Sequence, residues 1–204
     1  MSWVLANLPT IAGHLLAHLL QAVPAIIASF VLAIPIARLA RVARPLRAVL
    51  VTGSSLLYAV PSLALFVILP IILATGIRDP LNVIVALTLY GLALLVPATA
   101  DALDAVDARV LDAATAMGMG RLRCFLTVEL PLAGPAILTG LRVVTVSTIS
   151  LTTVGAVLGV RSLGWLFTDG FQRGITAEIV TGLAATAALA LVLDGLVLAL
   201  ERLC

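Results

Sequence analysis

DAATAMGMGRLRCFLTVELP, residues 112–131, is the one long polar stretch in the second half of a chain that otherwise reads as soluble in lipid. It opens on acidic, helix-favouring residues and turns at Gly118 and Gly120. It carries Arg121 and Arg123 and closes on Glu129, Leu130 and Pro131. Hydrophobic runs flank it on both sides. One structured polar segment kept between such runs points to a docking element.

The flanks decide the class. Of the 204 residues, 62% are hydrophobic and 11% charged, and mean hydropathy is +1.23. Soluble domains are roughly half apolar and a quarter charged, so composition alone predicts an all-α integral membrane protein. The length holds about five helical spans of ~20 residues and leaves no room for a soluble domain beside them. The charge-poor runs place the spans at about 14–37, 48–77, 81–100, 132–159 and 179–200, in one transmembrane domain covering 1–204. The start of the chain lacks the basic n-region of a signal peptide, and its apolar run is long enough to span. Cys124 and Cys204 are far apart and read as free thiols, with no metal-type spacing.

Within the spans, a few positions stand out. His14 and His18 lie one helical turn apart, without acidic or cysteine neighbours, and read as interfacial polar residues. Arg38, Arg41, Arg44 and Arg47 make a short basic loop with Pro45. The run 48–77 is free of charge; thirty residues of straight helix would be ~45 Å, longer than a ~30 Å hydrocarbon core. Pro61 and Pro70 offer break points. A break in lipid must line a cavity or be covered by protein, so Pro61 and Ser62 are candidate pathway residues, the alternative being a kinked helix. Asp101, Asp104 and Asp107 follow at helical spacing and read as a solvated acidic face. Thr145, Thr148, Thr152 and Gly155 form one stripe on the fourth span. Such a stripe serves either close helix packing or the lining of a pathway. Between 161 and 178, Trp165, Phe167 and Phe171 suit a membrane interface.

Two charges are embedded. Arg142 and Asp194 each lie about 9 Å deep from the same side, at 1.5 Å per residue, and are expected to pair, since intramembrane charges are rarely left single. Loop charge sets orientation. Arg38, Arg41, Arg44, Arg47, Arg109, Arg121, Arg123 and Arg202 fall on one side, and Arg78, Arg161 and Arg173 on the other. The positive-inside rule then expects the N-terminus outside, the C-terminus in the cytoplasm, and residues 112–131 in the cytoplasm.

The spacing of the opening stretch resembles a known pattern. Asp112-Ala113-Ala114, three residues, Gly118, nine residues, Val128, one residue, and Leu130-Pro131 is similar to the Glu-Ala-Ala loop of type I ABC-importer permeases. Asp112 stands for Glu and Val128 for Ile. Gly118-Met119-Gly120, Val128 to Leu132, Val60 to Leu65 and Thr88-Leu89-Tyr90 resemble the glycine betaine/carnitine/choline osmoprotectant subfamily. Two departures stand against that likeness. Pro97-Ala98 replaces Arg-Asn, and Gly159-Val160-Arg161-Ser162-Leu163-Gly164 replaces a glycine-rich run; both bear on substrate identity and the outer gate.

The resemblance implies a MetI-like permease of the bacterial cytoplasmic membrane, with a coupling loop over 104–131 that docks in a cleft of a separate ABC ATPase. Asp112, Ala113, Ala114, Gly118, Val128, Leu130 and Pro131 would carry that contact. It further implies a second permease subunit, identical or related, and an extracytoplasmic substrate-binding protein. No cofactor is expected in this chain, because it has no Gly-x4-Gly-Lys-Ser/Thr phosphate loop; ATP and Mg belong to the partner ATPase. Nucleic acid and metal are not expected. The alternatives are the same fold importing methionine or another amine, or a channel or membrane enzyme. An enzyme would bring catalytic polar groups together at one depth, whereas the spans hold only Arg142, Asp194 and hydroxyls.

Overall fold

The computed structural model describes residues 2–42 and 44–202, and Cys204 lies outside them. The described residues contain no strand. A short helix α1 (Ser2–Ala6) leads into α2 (Leu8–Val42), followed by α3 (Arg44–Leu57), α4 (Ser62–Leu73) and α5 (Pro80–Asp104). Two short helices, α6 (Ala108–Ala116) and α7 (Arg121–Cys124), pass through a π-helical turn, Phe125–Glu129, into α8 (Leu130–Thr152). A 3₁₀ turn (Thr153–Leu158) and α9 (Trp165–Arg173) precede α10 (Thr176–Glu201). Four segments are long and apolar enough to cross a membrane, and a fifth if α3 and α4 form one broken span.

Lipid tails are as apolar as leucine, so apolar burial does not drive these helices together; close packing does. The sequence supplies it through small residues at helical spacing. Along α2, Ala22, Ala25, Ser29, Ala33, Ala37 and Ala40 are all buried. At the tightest crossing, α2 on α5, Gly91 faces Ser29: a Cβ on Gly91 would lie 2.1 Å from Ser29 Oγ. The Ser29 hydroxyl bonds the carbonyls of Ala25 (2.7 Å) and Thr88 (3.2 Å). Farther along, Gly140 of α8 sits against Ala98 and Leu95 of α5. Helix α10, by contrast, buries only Glu178, Gly182 and Leu189.

The run 48–77 is not one continuous helix. Helix α3 ends at Leu57, and α4 leaves after the break at 106°. Pro61 caps α4, while Pro70, the other expected break, lies inside that helix. The freed carbonyl of Val60 is covered by protein: the buried Tyr90 hydroxyl donates to it, and Tyr58 packs edge-on against the Tyr90 ring. That satisfies the demand lipid places on open backbone. The structure thereby joins Val60-Pro61-Ser62 with Thr88-Leu89-Tyr90, two stretches that stood apart in sequence.

Candidate functional site

The stretch 112–131 lies at one end of the bundle and is mostly helical. Asp107 starts α6 by accepting a hydrogen bond from Arg109 N (2.9 Å). The end of α6 is closed by two backbone bonds, Gly118 N to Thr115 O (2.9 Å) and Met119 N to Ala114 O (3.2 Å). This pair of bonds needs a left-handed residue just past the helix, where glycine meets no Cβ penalty; Gly118 takes it, with φ +80°. At the far end Pro131 falls in the first turn of α8, where its missing N–H costs nothing. Leu130 N reaches back five residues to Phe125 O, giving the π turn.

The residues of the spaced motif divide into two sets. Asp112, Ala113, Gly118 and Pro131 are exposed. Ala114 is buried, and Val128 and Leu130 are half-buried, with Leu130 packed against the buried cluster that includes Ala37, Leu103 and Phe125. The small size of Ala114 therefore serves the fit of α6 to its own chain, and that of Gly118 serves the turn. The outer face of α6 offers Asp112, Ala113, Ala116 and Met117.

Charges fasten this element to the spans. Arg41 of α2 pairs with Asp104 at the end of α5 (3.3 Å) and with Glu129 at the entrance of α8. Arg47 of α3 also reaches Asp104 (2.6 Å). The Arg38 guanidinium lies 4.1 Å from the centre of the buried Phe125 ring, a contact worth about 0.5–1 kcal/mol. So Arg38 and Arg41 lie in α2 and Arg47 in α3 rather than in a loop, and Asp104 is paired rather than merely solvated. Sequence reasoning missed these partners, Arg38, Arg41, Arg47, Phe125 and Glu129. The signal was two runs of opposite charge, each at a three-residue period, placed at the same end of the bundle.

The candidate pathway set is not brought together as one lining. Pro61 is exposed and Ser62 half-buried at the α3–α4 break. Thr145, Thr148 and Thr152 are buried, so their stripe packs inside this chain instead of lining an opening. Two of the hydroxyls are taken by their own helix, Thr145 on Leu141 O and Thr152 on Thr148 O. His14 and His18, expected at an interface, are also buried. They lie beneath the 161–165 segment, where His14 stacks on Trp165 and Leu163 N donates to His18 Nδ1 (3.4 Å).

Arg142 and Asp194 meet in a two-pronged pair, Nε to Oδ1 and Nη2 to Oδ2, both 2.8 Å. The pair joins α8 to the loosely packed α10. Asp194→Ala is expected to lower the melting temperature of the purified protein by stranding a guanidinium at membrane depth. The double change with Arg142→Ala should recover much of that loss. A double variant no more stable than Asp194→Ala would overturn the pairing role.

This fold and loop define a membrane subunit of a transport system. Residues 25–203 match the family described as the binding-protein-dependent transport system inner membrane component, and the chain belongs to that family, the permease subunits of ABC importers. Such a subunit is not an enzyme, and the ATPase is a separate subunit that works with a substrate-binding protein. The chain is 29% identical to the glycine betaine/carnitine/choline transport system permease protein OpuCD of Bacillus subtilis, across 91% of this chain and 80% of that one. It is 30% identical to the choline transport system permease protein OpuBD of the same species, across 91% and 81%. A stretch covering 67% of this chain is 35% identical to the ergothioneine transport permease/binding protein EgtU of Helicobacter pylori, of which it spans only 24%. The fold is that of the inward-facing MetNI methionine ABC transporter (TM-score 0.83, 19% identity, 94% of each chain). It also matches an amino acid ABC transporter with histidines (TM-score 0.74, 18% identity, 98% of this chain and 94% of that one).

Proposed function

We propose that this chain imports a small osmoprotectant of the glycine betaine, choline or carnitine type across the bacterial cytoplasmic membrane, driven by ATP hydrolysis in a partner. The observation that carries the coupling part is the exposed helix α6, which packs on α7 and the π turn; in that turn Phe125 belongs to a buried cluster with residues of α2, α5 and α8, and Glu129 pairs with Arg41. A push on α6 reaches the three spans through the π turn. ATP closes the two ATPase subunits; α6 moves with them and tilts the spans between inward and outward access. Asp112, Ala113 and Met117 would face the ATPase cleft.

Arginine distribution supports an orientation with α6 in the cytoplasm and the α9 end outside. Five spans are too few to enclose a pathway, which favours a second permease subunit, identical or related. ATP and Mg would reside on the ATPase, with no cofactor in this chain. The substrate class rests on the relatives named above. A methionine or amino acid importer is the second reading, favoured by the fold neighbours alone.

The test is uptake of labelled glycine betaine, choline and methionine by cells expressing the complete transport operon. Uptake of betaine or choline that requires this chain supports the substrate class. Uptake of methionine alone would remove the osmolyte reading and leave the permease.

A further inference from the structure

At the end of the bundle away from α6, a cavity of roughly 340 Å³ opens between the 3₁₀ turn, the start of α5 and helix α9. Its wall includes Arg78, Gly159, Trp165, Thr168, Asp169 and Gln172. We propose that this cavity is a solute site in the permease itself, reading a zwitterion that carries a carboxylate at one end and a quaternary ammonium at the other.

The two ends of such a solute meet opposite walls. Arg78 has no carboxylate within 4 Å among the described residues. The adjacent Asp79 is spent as the cap of α5, accepting from Leu81 N (2.9 Å). The guanidinium lies over Gly159, where a Cβ would come within 3.0 Å of its Nε, so the missing side chain leaves it room. A free, planar guanidinium on a cavity wall is suited to a carboxylate held in two-pronged fashion.

The α9 wall has the opposite character. Asp169 and the buried Glu178 share a single cation, Arg173, at 2.9 and 4.0 Å. Of the two, Asp169 lines the cavity, and Glu178 is buried outside its lining. Beside them stands Trp165, 37% exposed. A trimethylammonium group has no N–H to donate, so an aromatic face with a carboxylate nearby is what recognises it.

The aromatic wall is pre-positioned. The His14 ring stacks on Trp165 with centroids 6.1 Å apart and planes 12° from parallel. Gln21 Nε2 donates to Arg161 O (2.6 Å), holding the segment before α9 onto α2. Less ordering then remains to be done when solute binds.

This inference rests on the substrate class proposed above, and the experiment separates the two. Labelled glycine betaine and choline are offered to the assembled transporter, with its ATPase and binding protein, in proteoliposomes. They share the trimethylammonium group, but choline lacks the carboxylate. Arg78→Gln is expected to lower the ratio of betaine to choline uptake about tenfold, as loss of a charged contact to one substrate does. Arg78→Lys should restore part of the ratio, and Trp165→Leu should lower uptake of both solutes. An unchanged ratio in Arg78→Gln, with betaine still taken up by the wild type, overturns the solute site and leaves the substrate class standing. An equal loss of both solutes that is relieved by more binding protein would make the cavity a docking surface and overturn the proposal likewise. Uptake of neither solute by the wild type would remove the substrate class and this site with it.

Discussion

Gly91→Ala is expected to destabilise the folded chain more than any single methyl group added elsewhere along the α2–α5 contact. The new Cβ would lie 2.1 Å from Ser29 Oγ and 2.6 Å from Ser29 Cβ. Neither Ser29 nor the backbone can yield cheaply. Ser29 is buried, and its hydroxyl bonds the carbonyls of Ala25 on its own helix and Thr88 on the neighbour. Helices α2 and α5 must therefore separate along a seam that also holds Ala33, Leu95 and Val96. Overpacking of this kind costs about 1–3 kcal/mol. Because packing is the main force joining helices in lipid, little else compensates. The measurement is thermal unfolding of the purified protein. Ser29→Ala added to Gly91→Ala should recover little, since the 2.6 Å contact to Cβ persists. Ser29→Gly should recover most of it, less about 1 kcal/mol for glycine within a helix. Equal recovery by both would mean that the crossing is not limited by these atoms.

The fold class was legible because composition and charge-free runs report directly on lipid. The importer fold was legible through the resemblance of the Asp112, Gly118, Val128 and Pro131 spacing to a known family pattern, and two of those places are fixed by a helix end at Gly118 and a helix start at Pro131. What was hidden depends on partners far along the chain. Pro61 marks a break, but the cover of the Val60 carbonyl there comes from Tyr90, thirty residues beyond Val60. Helical period puts Thr145, Thr148 and Thr152 on one stripe without saying which way it faces; α8 turns it inward. His14 and His18 read as interfacial until the 161–165 segment is seen lying over them. Asp104 and Glu129 lie 25 positions apart in sequence, and only the folding of α6 and α7 between them brings both onto Arg41.

Gly118→Val is expected to cut solute uptake about tenfold while leaving the stability of the spans unchanged. The argument rests on conformation alone. Nothing lies within 4 Å of a Cβ at Gly118, so there is no clash to relieve. The cost is the left-handed backbone at φ +80°, about 1–2 kcal/mol for an ordinary residue and more for a β-branched one. That energy opposes the two bonds closing α6, from Gly118 to Thr115 and from Met119 to Ala114. The end of α6 then frays, and Met117 and Ala116 leave the surface proposed to meet the ATPase. A loss of about 1.4 kcal/mol in the docked state corresponds to tenfold. Asparagine tolerates this conformation, so Gly118→Asn should lie close to wild type, with alanine between. Uptake and co-purification of the ATPase should fall together across the series, while the melting temperature stays level. A Gly118→Val transporter with full uptake would separate α6 from coupling. Loss of uptake with the ATPase still bound would instead place the defect after docking, in the transmission through Phe125 and Arg41.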